Sequence, residues 1–148
     1  NLEFGMANQY VIDLSVNIKR GQRQKLAEGW LPHKPPLGYL NNKFQEAGKP
    51  PIFRDPVRFH LLKKCWAILI EKRVSIDKLR IISEDMGLSM PNDQKLKKSQ
   101  FYAIFRNPFY YGYFLWNNEL YDGKHEPMIT KQEFDLAQKI ISGRIKIG

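Results

Sequence analysis

The spacing of apolar residues changes several times along the chain, and each change marks an element. Phe4, Ala7, Val11, Leu14 and Ile18 recur at alternating steps of three and four, the narrow seam of a heptad, which predicts one long helix over residues 1–28. Gly29 supplies a left-handed stop, with Pro32 just beyond. A helix of that length with so thin a stripe has little of its own domain to cover, so it is expected to pack on a partner helix or on a domain outside this sequence. Trp30 to Tyr39 contains Pro32, Pro35 and Pro36, which forbid helix and predict an extended arm close to polyproline II. Residues 41–54 read as loop with a short strand at its end.

Asp55-Pro56 opens the next helix, Asp as cap and Pro at the first position. Val57, Leu61, Cys65 and Ile68 form one stripe and Phe59, Leu62, Trp66 and Leu69 the adjacent one, so this broad-faced helix is the predicted core. Ser75 caps a helix over residues 76–86 that Gly87 closes, and Ser99 caps a third that ends before Asn107-Pro108. On the third helix Phe101, Ile104 and Phe105 point one way, while Ser99, Tyr102, Ala103 and Arg106 point the other. From Phe109 the period shifts towards two, with Asn117-Asn118 turning the chain into a return strand over residues 119–121. Thr130 and Glu133 form a capping box for a last helix, buried through Phe134, Ala137, Ile140 and Ile141 and stopped at Gly143. The expected fold is α+β and mainly helical: a long N-terminal helix (1–29), a Pro-rich arm (30–40) and, over 41–148, a helix-turn-helix-like helical core with a small antiparallel β-hairpin.

Composition narrows the function. Among 148 residues, 24 Lys and Arg stand against 15 Asp and Glu, a formal charge of +9, and the pI is near 9.7. The excess is regional: residues 1–38, 39–74 and 75–108 carry net +2, +5 and +2, and residues 109–148 are neutral. In the middle, Arg54, Arg58, Lys63, Lys64, Lys72 and Arg73 face only Asp55 and Glu71. A polyanion is the economical partner, and a merely solvated basic surface is the other reading of the charge alone. Lys19, Arg20, Arg23 and Lys25 sit at the end of the first helix, where they also suit its dipole. His33 and Lys34 ride on the arm, whose narrow shape suits a minor groove, although a plain linker has the same composition. Lys97 and Lys98 precede Ser99, Gln100, Tyr102, Ala103 and Arg106, donors and one small residue on the face that a helix-turn-helix presents to the major groove. The connection before them, about eleven residues, is longer than in the compact motif.

The apolar runs are far shorter than the ~20 residues a membrane span needs, and no signal-peptide pattern opens the chain, so a soluble protein without membrane contact is expected. The lone Cys65 lies on the core stripe and reads as a buried hydrophobe in an intracellular protein. His33, His60 and His125 fall in three different elements without metal-ligand spacing, and no phosphate loop or nucleophile elbow occurs, so neither metal nor cofactor is expected. The residues point to a binder. It is a DNA-binding domain with an accessory helix, a basic protein-interaction module meeting an acidic partner, or a helix-turn-helix transcription regulator.

An ordered set of motifs resembles the large serine recombinases. It comprises Ala7-Asn8-Gln9-Tyr10, Leu14-Ser15-Val16-Asn17-Ile18-Lys19-Arg20-Gly21, Gly29-Trp30, Pro35-Pro36-Leu37-Gly38-Tyr39 and Asp55-Pro56. It continues through Phe101 to Phe105, Arg106-Asn107-Pro108-Phe109-Tyr110-Tyr111-Gly112 and Gly123-Lys124-His125-Glu126-Pro127-Met128-Ile129-Thr130. The resemblance implies a long helix leaving a catalytic domain and entering a DNA-binding recombinase domain that recognises half-sites of attachment sequences. In such proteins a serine of the catalytic domain attacks a DNA phosphate without metal or external energy, subunits exchange strands by rotation, and a zinc-ribbon domain follows. The serine is expected before Asn1 and the zinc ribbon after the last helix, so this stretch itself is expected to be non-catalytic. The implied partners are double-stranded DNA and other recombinase subunits, in the cytoplasm of a bacterium, on its nucleoid.

Overall fold

In the computed structural model, which describes residues 18–144, the first element is helix α1, residues 18–28. The seam residues Phe4, Ala7, Val11 and Leu14 lie outside the described residues, and Ile18 is 54% exposed. Gly29 ends the helix as its conformational freedom predicts. Its N–H donates to Leu26 O and the Trp30 N–H reaches back to Lys25 O, a Schellman turn around a residue at φ +89°. A side chain there meets a second obstacle, because a Cβ would lie 2.6 Å from Lys124 Cγ. The approach is close because Lys124 N–H donates to Gly29 O at 2.8 Å.

Residues 35–41 of the proline-rich segment are drawn into the core. Strand β1 (Tyr39–Asn41) pairs antiparallel with β2 (Ile52–Arg54), Tyr39 opposite Arg54. The Tyr39 ring stands edge-on to Phe59 and Phe109, centroids 5.5 and 4.9 Å away. Its hydroxyl donates to Glu126 O, and that of Tyr110 donates to Leu37 O, both at 2.6 Å. His33 and Lys34 stay exposed.

Helix α2 (Arg58–Lys72) is the core helix. Asp55 Oδ1 accepts the N–H groups of Val57 and Arg58, each at 3.0 Å, so the Asp caps as its position predicts. Val57 departs from the expected stripe and is 62% exposed; it lies in the turn before the helix, and the buried face begins at Phe59. Cys65 is fully buried, and burial pushes its thiol up to about 12, which leaves it a packing group and not a nucleophile. Helix α3 (Ile76–Asp85) is capped by Ser75 Oγ, which accepts from Lys78 N–H at 3.2 Å.

Helix α4 (Lys98–Ile104) begins and ends earlier than its sequence suggests. Ser99 is inside the first turn and caps nothing; the Gln100 side-chain oxygen accepts the Lys97 N–H instead, at 2.9 Å. The strand expected from Phe109 starts later, because Asn107 Oδ1 accepts the Phe109 N–H and Pro108 opens a 3-10 helix, Pro108–Tyr111, that buries Phe109 and Tyr110. Strands β3 (Tyr113–Trp116) and β4 (Glu119–Asp122) then form a hairpin. The Thr130–Glu133 capping box opens α5 (Lys131–Ile141). Helix α2 packs on α3 and α5, and α3 on α4, around an aromatic centre of Trp66, Phe101, Phe105, Phe109 and Tyr110. No described helix is long and apolar enough to cross a membrane.

Candidate nucleic-acid interface

A seven-residue helix does not hold itself together in water, so α4 exists because its inner face is anchored. Phe101, Ile104 and Phe105 are all buried, and each contributes about 1.5–3 kcal/mol. The Gln138 amide donates to Phe105 O from α5. The outer face carries exposed Ser99 and Ala103 and half-buried Tyr102, the separation expected from the sequence. Arg106 lies just beyond the helix, in the turn made by its N–H donating to Ala103 O; its guanidinium stays on this face, 5.8 Å from the Tyr102 ring centroid. Lys97 is exposed. Lys98 pairs with Asp77 of α3 at 3.2 Å, and the Gln100 oxygen is held by the cap, so neither is wholly available to a ligand.

The long connection before α4, residues 86–97, is pinned from α2. Arg58 Nε donates to Ser89 O at 2.8 Å and Nη2 to Met90 O at 3.1 Å. Nη1 pairs with buried Asp55 at 3.3 Å. Asp55 therefore caps α2 and orients the arginine that fixes the loop.

A second group of cations gathers at the other end of the sequence. Lys25, His33 and Lys34 line one cleft of about 660 Å³ together with Lys43, Lys49 and Glu46. The first three are expected from the sequence; Lys43 and Lys49 come from the β1–β2 loop, where the basic excess of residues 39–74 is their sequence signal. Lys19, Arg20 and Arg23 are exposed on α1. Tyr102 of α4 and Arg106 just beyond it line a different cleft, with Lys139 of α5 and Arg144 just after that helix. Of the predicted residues, Lys25, His33 and Lys34 thus share one cleft and Tyr102 and Arg106 another.

Two of the cations counted towards a polyanion-binding surface are committed internally. Arg58 is the loop pin, and Arg54 makes a two-pronged ion pair with Glu126 while lying over the Phe59 ring at 4.4 Å. The guanidinium hydrogen bond holds the Glu126 carboxyl below its usual range. Next to this pair His125 is buried, its ring stacked on Phe109 at 3.7 Å between centroids and its Nε2 at 2.6 Å from Phe109 O. A carbonyl only accepts, so Nε2 carries the proton. Burial lowers the imidazole's pKa, against the opposing pull of that hydrogen bond and of Asp122.

Residues 61–144 match the family model described as Recombinase. No curated protein matches. Among solved structures, one described as the crystal structure of an LSR–DNA complex is similar at 18% identity with a TM-score of 0.63, over 86% of this chain and 38% of that one. A second, from work on the sequence requirements of the Listeria innocua prophage attP site, is similar at 18% identity with a TM-score of 0.65, over 87% and 52%. The chain thus shares its fold with both and spans 38% and 52% of their lengths.

Proposed function

The chain belongs to the Recombinase family, and we propose that it is the sequence-specific duplex-DNA-binding domain of a large serine site-specific recombinase. Strand cleavage and rejoining are then the work of a separate serine catalytic domain to which α1 leads. The observation that carries this reading is the display of charge: the cations of α1, the arm and the β1–β2 loop are exposed on one fold with the polar face of α4. That fold is shared with a protein described in complex with DNA. Lys19, Arg20, Arg23, Lys25, His33 and Lys34 follow the backbone and minor groove, and Lys97, Lys98, Ser99, Gln100, Tyr102, Ala103 and Arg106 lie in the adjacent major groove. Phosphate contacts position the domain, and α4 supplies sequence discrimination. The setting is the cytoplasm, at attachment sites on the nucleoid, with further recombinase subunits as partners.

The reading is tested by titrating the chain against duplexes selected from a random library at a series of salt concentrations. If about 6 to 10 phosphates are neutralised, affinity falls about 10³ to 10⁵-fold between ~50 and ~200 mM salt. A flat salt response, or equal affinity for an acidic protein, sinks the proposal and favours an interaction module.

A further inference from the structure

The loop joining β1 to β2 holds one phenylalanine out in solvent on a rigid support. Phe44 is 85% exposed. The loop around it is tied together through Asn42, whose Nδ2 donates to Glu46 O at 3.2 Å and Lys49 O at 3.1 Å and whose Oδ1 accepts the Glu46 N–H at 2.9 Å. Backbone bonds from Gln45 N–H to Asn42 O and from Asn42 N–H to Pro51 O complete the tie, with Gln45 at φ +48°. A lone exposed apolar side chain is ordinary. An aromatic ring presented by a loop this heavily cross-tied, with lysine immediately before it, is not what solubility alone selects.

The surroundings say what the ring meets. Phe44 lines an apolar groove of about 870 Å³ with Pro35, Pro36, Phe53 and Met90. That groove shares Lys34, Lys43 and Lys49 with the basic cleft beside it. Four lysines in that cleft are opposed by one acid, Glu46, which pairs with Lys49, so the local excess is positive. A cationic rim around an apolar projection is complementary to the minor groove, where phosphates flank sugar faces and base edges and where apolar wedges part base steps. We propose that the β1–β2 loop is a DNA-contacting element of its own, with Phe44 as a minor-groove wedge and Lys43 as its phosphate anchor. This rests on the duplex-binding function proposed above and adds a contact that neither α4 nor the arm supplies.

The test uses the chain and a library-selected duplex carrying 2-aminopurine at successive positions. The unaltered chain raises the fluorescence at one or two adjacent positions, where stacking is broken. Phe44→Ala abolishes that rise and weakens binding by about tenfold, with its thermal midpoint and salt slope unchanged. Phe44→Leu keeps most of the signal. Lys43→Ala keeps the signal and lowers the salt slope by about one unit. If Phe44→Ala binds with undiminished affinity and the 2-aminopurine signal never depends on residue 44, the wedge is overturned while duplex binding stands. Absence of duplex binding by the unaltered chain overturns both.

Discussion

The ring of His125 lies flat on Phe109 with Nε2 bonded to a carbonyl, and its buried Nδ1 has no partner among the described residues. Protonating it places a second N–H without a partner and a positive charge in a buried site, and this burial outweighs the pull of Asp122 and lowers the pKa below the ordinary 6.5. Just below that value an unfolded chain takes up a proton that the folded chain refuses. The unfolded state then binds more protons, and stability falls as pH drops through this window. Urea unfolding should show stability declining as the pH falls below about 6.5, before most carboxylates titrate. His125→Gln should cost about 1–2 kcal/mol at pH 7 and flatten the decline; an equally steep decline in the variant would remove His125 as its source. Nothing local in Gly123-Lys124-His125 announces this role, because the accepting carbonyl and the stacked ring both come from Phe109.

Among elements, those whose signals are local were legible in the sequence. Ser75, the Thr130–Glu133 box and Gly29 act within a turn of themselves, and each sits where its chemistry predicts. The β3–β4 hairpin belongs to this class: Asn117 and Asn118 take φ of +49° and +64°, the two left-handed positions of a type I′ turn. Asn118→Gly should therefore stabilise the domain by about 0.5–1 kcal/mol, read as a higher thermal midpoint, whereas Asn118→Ala should lower it. What was not legible depends on distant partners. Tyr39 reads as part of an arm until Phe59, Phe109 and Glu126 are beside it. Arg58 reads as surface charge until the carbonyls of Ser89 and Met90 turn out to be its acceptors. The faces of α4 were legible from period alone, but its cap was not, because the Gln100 side chain reaches back to the Lys97 N–H and places the cap two residues before Ser99.

For the whole molecule, the +9 charge resolves into structural and displayed parts. Arg54 and Arg58 are committed to partners within the fold, while Lys19 on α1 and Arg106 beyond α4 are exposed. The two should therefore behave differently. Lys19→Ala should weaken binding to all duplexes alike and reduce the salt slope by about one unit. Arg106→Ala should narrow the affinity gap between a selected duplex and a scrambled one, by about 1–3 kcal/mol if it makes a bidentate base contact. Measuring both variants on both duplexes decides it, and indistinguishable profiles would refute the division of roles.

The segment from Asp122 to Met128 ties down three points near the start of the fold. Gly29 accepts from Lys124, Tyr39 donates to Glu126 across 87 positions of sequence, and Arg54 grips the Glu126 carboxylate. During synthesis the chain leaves the ribosome from its N-terminus, so the arm, β1 and β2 emerge long before the residues that hold them in place. Local helices can form at once, whereas this long-range closure waits for nearly the whole domain. A nascent chain therefore carries its cationic residues early but acquires a shaped binding surface last, which ties competence for the ligand to completion of translation through the domain's far end.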